Sequence, residues 1–328
     1  MKGLDFGRVA LTMGVAAALL AGCGGSQPPI GAPGATPQGH GVAVRAKHGS
    51  SSGDLLYITG GRTNQVYVFT YPEGKHVQTL FGLENPSGEC VDASGNVYIT
   101  QSSDDIVEYA HGGSSAIKTF YAAYADSGCA VDPTTGSLAA ATGRTVTVWP
   151  NGNGSPITYT NPSKYVLEQY LGYDNSGNLF IGGNNTFYGD LDLAELPNGS
   201  SSIAHLTLNG QYGGNYLGGG QVQWDGEDVA VGAPPLEEPW ITRFQVSGSS
   251  ATFAGSTKLR LPRRGFGMFW LDGGTLVLPF STGRGGVKSF GYWNYPKGGK
   301  PTKVFKALHF PRIFVAVAIS HGLDSAHR

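Results

Sequence analysis

Short alternating segments of apolar and polar residues, separated by Gly-containing turns, recur along the chain from about residue 54 onward. One recurring phrase is a hydrophobic residue, Asp, a small turn with Gly, and then an apolar strand. Its copies centre on Asp92, Asp132, Asp174, Asp225 and Asp272. Because Asp side chains bond to nearby backbone and Gly readily takes positive φ, each copy predicts a tight hairpin turn. A second phrase, an alternating strand that ends in an aromatic residue or Leu before a turn, recurs between these copies, as in 66–74, 146–152 and 291–298.

The spacing of these turns predicts the architecture. A period of about 40–50 residues with several strands per period is typical of β-propeller blades, since one twisted sheet cannot bury both faces alone. Five Asp turns indicate five blades, and residues 54–80 supply three strands of a sixth blade without its innermost strand. We expect the apolar segment 312–320 to be that strand, which would close the ring and remove an open edge. The predicted fold class is an all-β, six-bladed propeller of four-stranded antiparallel blades over 54–320. A seven-bladed ring is the alternative.

In these recurring motifs, the chain resembles six-bladed propellers of the NHL-repeat and gluconolactonase-like kind. It also resembles bacterial propeller lipoproteins with similar turn motifs. The resemblance covers about residues 54–320, and its motifs specify the fold far more than an activity. In gluconolactonase-like enzymes a divalent cation is held where the inner strands enter the central channel, by the oxygen ligands that hard cations prefer. The resemblance therefore implies one location in which to look for chemistry.

The N-terminus predicts export. Residues 1–22 combine Lys2 and Arg8 with an apolar run over 9–20, which is too short to span a bilayer but suits a signal peptide. The run ends in Leu-Ala-Gly before Cys23, which resembles the lipobox of bacterial lipoproteins and implies cleavage before Cys23 and its acylation. The alternative is an ordinary secretory signal with an incidental Cys.

The segment that follows is predicted to be a flexible tether. Residues 23–53 are rich in Gly, Pro and Ser and bury too little apolar surface to offset the entropy of ordering them. Residues 321–328 form a short C-terminal tail. We expect the protein in the bacterial cell envelope, at the outer membrane or cell surface, with the membrane as a partner through the lipid anchor.

Composition narrows the classes of partner. Charged residues make up 14% of the chain and the formal net charge is −1, with no long run of either sign. Nucleic-acid binding needs a dense basic face, so no nucleic-acid partner is expected. Nothing in the sequence predicts an oligomer.

Two Cys remain once Cys23 is assigned to lipid. Cys90 and Cys129 fall at the starts of predicted innermost strands in consecutive blades, where strands converge and a disulfide is geometrically feasible. The alternative is two buried free thiols, because Cys packs well as a small apolar residue.

Candidate chemistry in the channel rests on polar residues near the inner strands. Glu89, Asp126 and Glu168, with Gln223, are the candidates for a channel or metal site, and a divalent cation such as Ca²⁺ is the cofactor that such a site would hold. Otherwise no cofactor is expected. The alternative is that these residues only line a wet channel.

Long Gly- and Pro-rich connections in the later blades carry aromatic residues suited to sugar or protein partners. The binding-loop candidates are Tyr212, Tyr216, Trp240 and Phe266. Alternatively, these aromatic side chains pack between blades. The function expected is a non-enzymatic binding or scaffolding module for a protein or carbohydrate partner. The alternatives are a metal-dependent hydrolase or lyase of gluconolactonase-like type, and a purely structural envelope protein.

Overall fold

The structure is a computed structural model, and it describes most of the region with recurring turns. The described residues are 53–61, 63–122, 127–161, 166–185, 191–210, 220–233, 240–261, 267–281, 288–306 and 314–322. For residues 166–169, 184–185 and 233 the description is limited to the backbone. None of the helical structure within these ranges is long and apolar enough to cross a membrane.

The described residues form 25 β-strands and one short turn of 3-10 helix at Pro150–Gly152. In chain order the strands are β1 (Leu55–Gly60), β2 (Gln65–Thr70), β3 (His76–Leu80), β4 (Glu89–Val91), β5 (Val97–Gln101), β6 (Asp105–Tyr109), β7 (Ala116–Tyr121), β8 (Cys129–Val131), β9 (Leu138–Ala141), β10 (Thr145–Trp149), β11 (Ile157–Thr160), β12 (Val166–Tyr173), β13 (Leu179–Asn185), β14 (Leu191–Leu196), β15 (Ala204–His205), β16 (Thr207–Asn209), β17 (Val222–Trp224), β18 (Val229–Ala233), β19 (Trp240–Ser247), β20 (Ser250–Lys258), β21 (Trp270–Asp272), β22 (Thr275–Phe280), β23 (Ser289–Asn294), β24 (Lys303–Lys306) and β25 (Phe314–Ser320).

The strands form six sheets arranged in a ring, which confirms the predicted six-bladed propeller. Blade 1 has the order β25-β1-β2-β3, blade 2 runs β4 to β7, blade 3 runs β8 to β11, blade 4 runs β12 to β15, blade 5 has the order β17-β18-β19-β20-β16, and blade 6 runs β21 to β24. Blade 5 differs from the other five by its fifth strand, β16, which pairs in parallel with β20. The segment that leaves blade 4 lies along the outer edge of this long strand before it enters blade 5.

Closure of the ring follows the prediction. The C-terminal strand β25 pairs antiparallel with β1, with Leu55 opposite Ser320 and Ile58 opposite Val317. The innermost strand of blade 1 therefore comes from the end of the chain. This pairing joins the last part of the fold to the first and gives blade 1 the fourth strand that residues 54–80 lack.

In four of the five predicted Asp turns, those of Asp92, Asp132, Asp174 and Asp225, the carboxyl group accepts hydrogen bonds from backbone of its own turn. In blade 2, Asp92 Oδ1 accepts hydrogen bonds from the backbone N–H groups of Ser94 at 2.9 Å and Asn96 at 2.8 Å. Gly95 supplies the positive φ of 82° that the turn requires. Each Asp turn joins the innermost strand of a blade to the second strand, which places all five turns on one face of the ring.

The hydrophobic core is divided among the seams between blades. Six clusters of buried apolar side chains occupy the six seams, for example Val146, Leu179 and Leu196 between blades 3 and 4. Each sheet is thus buried on both faces, as a radial repeat requires. Side chains of the innermost strands, in contrast, border the axis, where the candidate site lies.

Candidate functional site

A cavity of about 220 Å³ lies at the axis of the propeller. The innermost strands of blades 2 to 6 contribute its wall, mostly through apolar side chains and backbone. Its lining residues are Cys90, Val91, Cys129, Ala130, Val131, Pro133, Leu171, Gly172, Tyr173, Gln221, Val222, Gln223, Trp224, Trp270 and Leu271. Several of these are the last residues before an Asp turn, so the cavity lies toward the face that carries those turns.

Two residues of the wall carry a buried polar atom that has no hydrogen-bond partner in the described part of the chain. These atoms are the side-chain carbonyl oxygen Oε1 of Gln221 and the indole Nε1–H of Trp224. Gln221 is only 5% exposed. A buried polar group without a partner costs about 1–3 kcal/mol, so a ligand that reached these two atoms from the cavity and offered both a donor and an acceptor would recover part of that cost.

The surrounding contacts hold these residues in place. The Trp224 ring stacks nearly parallel on the ring of Phe180, with centroids 6.3 Å apart. Gln223 Oε1 accepts a hydrogen bond from Leu271 N at 2.6 Å, which ties the innermost strands of blades 5 and 6 together. The groups next to the two unpaired polar atoms, the Trp224 ring and the Gln223 side chain, therefore already have contacts within the protein.

Close approach of two strands also shapes this wall. A Cβ atom on Gly172 would lie 2.6 Å from the carbonyl oxygen of Val222, so a side chain there would push blades 4 and 5 apart. Next to Gly172, Tyr173 borders the cavity, and burial raises the pKa of its hydroxyl, helped by the nearby carboxyl group of Asp132. The Tyr173 hydroxyl therefore stays protonated and able to donate at neutral pH.

The sulfur atoms of Cys90 and Cys129 are bonded in the structure, with their Cα atoms 5.6 Å apart. Both residues are almost fully buried at the seam between blades 2 and 3. The bridge links the innermost strands β4 and β8 and forms part of the cavity wall. Because β4 and β8 belong to consecutive blades, a covalent link between them limits how far the cavity wall can open.

Glu89 lies away from the cavity wall. Its carboxyl group is buried against blade 1, where Oε1 accepts a hydrogen bond from the hydroxyl of Thr59, and Oε2 has no partner in the described residues. Burial raises the pKa of Glu89 to about 8, with the hydrogen bond from Thr59 acting in the opposite direction. At neutral pH this carboxyl group is therefore mostly protonated.

The other candidate channel residues are only partly described. Asp126 lies outside the described residues, and for Glu168 only the backbone, in β12, is described. Within the described ranges, no three His, Cys, Asp or Glu side chains come together as a metal-binding group.

Of the four aromatic loop candidates, three lie outside the described residues: Tyr212, Tyr216 and Phe266. Trp240 begins β19 and is half-buried, with the Lys258 ammonium group 5.5 Å from its ring centroid. It does not line the axial cavity. The aromatic residues that the structure brings to the cavity are instead Trp224, Trp270 and Tyr173.

An ion-paired cluster at the closure of the ring was not predicted. His321 Nδ1 lies 3.3 Å from Asp54 Oδ2, and its Nε2 lies 3.2 Å from Asp272 Oδ1. The hydrogen bond to Asp272 raises the pKa of His321 to about 9. These contacts join the residue before β1, the residue after β25 and the Asp turn of blade 6.

Sequence signals for the newly found site residues were weak. Gln221 and Trp224 flank Gln223 in the stretch before the Asp225 turn, so their position on an innermost strand was predictable. Which polar atoms of that strand would remain open depends on Phe180 and Leu271 of other blades. The His321 cluster likewise joins residues that are far apart along the chain.

Comparison with known proteins identifies the fold alone. No family model matches the chain, and no curated protein matches it. A protein of unknown function from Bacteroides caccae is similar in structure, with a TM-score of 0.60, 11% sequence identity, and coverage of 82% of this chain and 99% of that chain. A chain of a nidogen/laminin complex has a TM-score of 0.60 and 12% identity over 82% of this chain and 99% of that chain. The β-propeller domain of Cps50 (Swd1) from Myceliophteria thermophila has a TM-score of 0.51 and 13% identity over 82% of this chain and 91% of that chain.

Proposed function

We propose that this chain is a lipid-anchored propeller of the bacterial cell envelope that binds a protein or carbohydrate partner as a binding or scaffolding module. The propeller fold is consistent with such a role, and one chain of similar fold comes from a complex of two proteins, nidogen and laminin. Anchoring through Cys23, with residues 23–53 as a tether, rests on the sequence motif.

The observation that carries the binding proposal is one unpaired donor and one unpaired acceptor on two residues that line the axial cavity. The volume of about 220 Å³ equals the share of about seven water molecules in the liquid. This space suits one small group of a larger partner, such as a single sugar unit or one polar side chain. Its hydroxyl or amide would accept from Trp224 Nε1–H and donate to Gln221 Oε1, while its apolar surface contacts the rest of the wall.

The apolar part of the wall favours a ligand with hydrophobic faces. Trp224 and Trp270 present aromatic surface, and aromatic side chains in a cavity bind ring-shaped groups through a large contact area. Specificity would come from the two polar atoms, because a ligand that left them unpaired would gain little. We therefore place the recognised group in this cavity.

The experiment compares two substitutions that each remove one polar group and keep an apolar side chain in its place. Gln221→Met removes the acceptor, and Trp224→Phe removes the indole donor while keeping a ring. Wild-type mature protein is screened on a glycan array and in pull-downs from native envelopes, and each hit is then measured by calorimetry. Loss of one hydrogen bond predicts roughly a 5- to 20-fold weaker affinity for each variant.

The matched control is Gln245→Met, which makes the same chemical change at an exposed position of β19. This control keeps full affinity if the cavity binds the ligand. A partner that binds all three variants equally well contradicts the proposal. Anchoring is tested separately by labelling with radioactive fatty acid, which Cys23→Ala should abolish.

A further inference from the structure

Side chains of the outermost strands close three of the seams between blades. In each, an amine or amide donates to a backbone carbonyl oxygen in the turn that precedes the outermost strand of the next blade. The pairs are Gln78 Nε2 with Gly112 O at 3.3 Å, Lys118 Nζ with Gly152 O at 2.6 Å, and Lys303 Nζ with Pro72 O at 2.9 Å. These contacts recur at the same place in blades 1, 2 and 6.

The register of the sheets identifies the corresponding residue in blade 3. Gln78, Lys118 and Lys303 each lie opposite the fourth residue of the third strand of their blade. In blade 3 the fourth residue of that strand is Val148, and its partner is Ile157. Ile157 has no polar group to offer the next blade, and its side chain is 47% exposed.

A groove of about 180 Å³ lies at this seam, between blades 3 and 4. Ile157 and Tyr159 line it from blade 3, and Pro197, Asn198 and Ser200 line it from the turn of blade 4. The groove thus lies where a Gln or Lys side chain crosses the seam from blades 1, 2 and 6.

The groove contains an aromatic ring in the position that contacts lysine at two other seams. In blades 2 and 6 the lysine ammonium lies over an aromatic ring two residues further along, Lys118 over Phe120 at 4.3 Å and Lys303 over Phe305 at 4.7 Å. Phe120 and Phe305 lie opposite the second residue of the third strand, and Tyr159 has the same register in blade 3. A ring suited to a cation–π contact therefore remains where the lysine is absent.

The turn that accepts the hydrogen bond from the lysine is also repeated in blade 4. The turn of blade 3 that accepts from Lys118 is Pro150-Asn151-Gly152, and the turn of blade 4 has the same three residues at 197–199. Gly152 and Gly199 take similar positive φ values of 65° and 75°. The carboxyl group of Asp132 also lines the groove, and a nearby carboxyl group favours a cation.

We propose that the groove between blades 3 and 4 binds a lysine side chain of a partner protein. Its ammonium group would lie over Tyr159 and donate to the carbonyl oxygen of Gly199, and its alkyl chain would lie along Ile157, as the protein's own lysines do at two other seams. The groove is separate from the axial cavity, so this proposal does not rest on the proposed function and either one can fail alone.

The test uses the mature protein with ¹³C-labelled tyrosine, titrated with n-butylammonium as the probe and with n-butanol as its uncharged counterpart. We expect saturable shifts of the Tyr159 signal with a dissociation constant on the order of millimolar, as is usual for so small a ligand. Butanol should bind about tenfold more weakly, which corresponds to about 1.4 kcal/mol. The Tyr159 signal is assigned with Tyr159→Phe.

Two variants decide the outcome. Ile157→Lys supplies the missing side chain from the protein itself and should abolish binding of butylammonium. Thr158→Lys adds the same charge to the same strand, but the Thr158 hydroxyl lies 3.3 Å from that of Thr147 within blade 3, so this control should bind normally. Lys118→Met opens the seam between blades 2 and 3 and should create a second site, seen at Phe120 in protein that carries ¹³C-labelled phenylalanine.

Equal shifts with butanol and butylammonium would show a merely apolar groove and overturn the proposal. Unchanged binding to Ile157→Lys, or absence of saturable binding to the wild type, would overturn it as well. Each of these results is independent of what the axial cavity binds.

Discussion

Glu89→Gln removes a buried carboxyl group whose protonation depends on folding. Its ordinary pKa is 4.5, and burial raises it to about 8 in the folded protein. Between these values the folded state holds a proton that the unfolded state has released. The Glu89 carboxyl group therefore makes the protein less stable as pH rises from about 4.5 to about 8, with no further loss above that.

The magnitude follows from the two pKa values. Each pKa unit corresponds to about 1.4 kcal/mol, so the difference between 4.5 and about 8 sets an upper limit of about 5 kcal/mol. Reorganisation of nearby dipoles around an ionised carboxylate reduces this cost, and we expect about 2–3 kcal/mol. Gln keeps the shape and the ability to hydrogen-bond to the Thr59 hydroxyl, but it cannot ionise.

The assay is urea unfolding of wild type and Glu89→Gln at pH 5, 7 and 9, with thermal midpoints as a second measure. The stability of the variant relative to wild type should rise with pH, by about 5 °C or more in thermal midpoint at pH 9. Other titrating groups, including His321, cancel in this difference. Glu73→Gln, in an exposed turn, controls for the loss of one formal charge.

Parallel stability curves for wild type and Glu89→Gln across this pH range would refute the reasoning. Such curves would mean that Glu89 is solvated in the folded protein. A variant that is less stable at every pH by the same amount would show instead that the carboxyl group acts only through packing or hydrogen bonding.

Three further predictions concern the closure and the cavity wall. Cys90→Ala with Cys129→Ala should lower the free energy of unfolding by about 2–4 kcal/mol, measured by urea unfolding, while mass spectrometry of the non-reduced wild type should detect the linked peptides. For His321, whose pKa is raised to about 9, the added stability is fully present below the ordinary pKa of 6.5 and is lost as pH rises through about 9; the difference in thermal midpoint between wild type and His321→Asn should therefore shrink as pH rises from 6 to 10. Gly172→Ala should destabilise the protein by about 1–3 kcal/mol, since its Cβ would lie 2.6 Å from Val222 O, and an unchanged thermal midpoint would contradict this close approach.

The blade repeat was predictable because its signals are local. The Asp92 carboxyl group accepts hydrogen bonds from residues two and four positions later, so one short stretch of sequence specifies the turn. The closure by β25 was predictable from the number of strands. Residues 54–80 contained only three strands of a blade, and the apolar segment 312–320 belonged to none of the other five blades. The fifth strand of blade 5 was not predictable, because the short segment 207–209 has no alternation of apolar and polar residues that marks a strand. It forms a strand only by pairing with the edge of β20.

The site could be predicted only to the level of its location. The sequence placed the stretch around Gln223 on an innermost strand, but it did not distinguish the paired oxygen of Gln223 from the open oxygen of Gln221. The difference depends on Leu271 of the next blade. Similarly, the hydrogen bond that Glu89 accepts from Thr59 of blade 1 joins two residues that are 30 positions apart, and the sequence did not predict it.

By itself, the sequence determined the number of blades, the position of their turns and the segment that completes the ring. These properties arise from hydrogen bonds and alternation within a few residues. Only the tertiary structure decided which side chains meet at the axis and across the seams, such as Trp224 on Phe180, or Tyr159 and Pro197 on the two sides of one groove. Those contacts join residues of different strands or blades, and their geometry depends on the radial packing of six twisted sheets rather than on the residues adjacent in the chain.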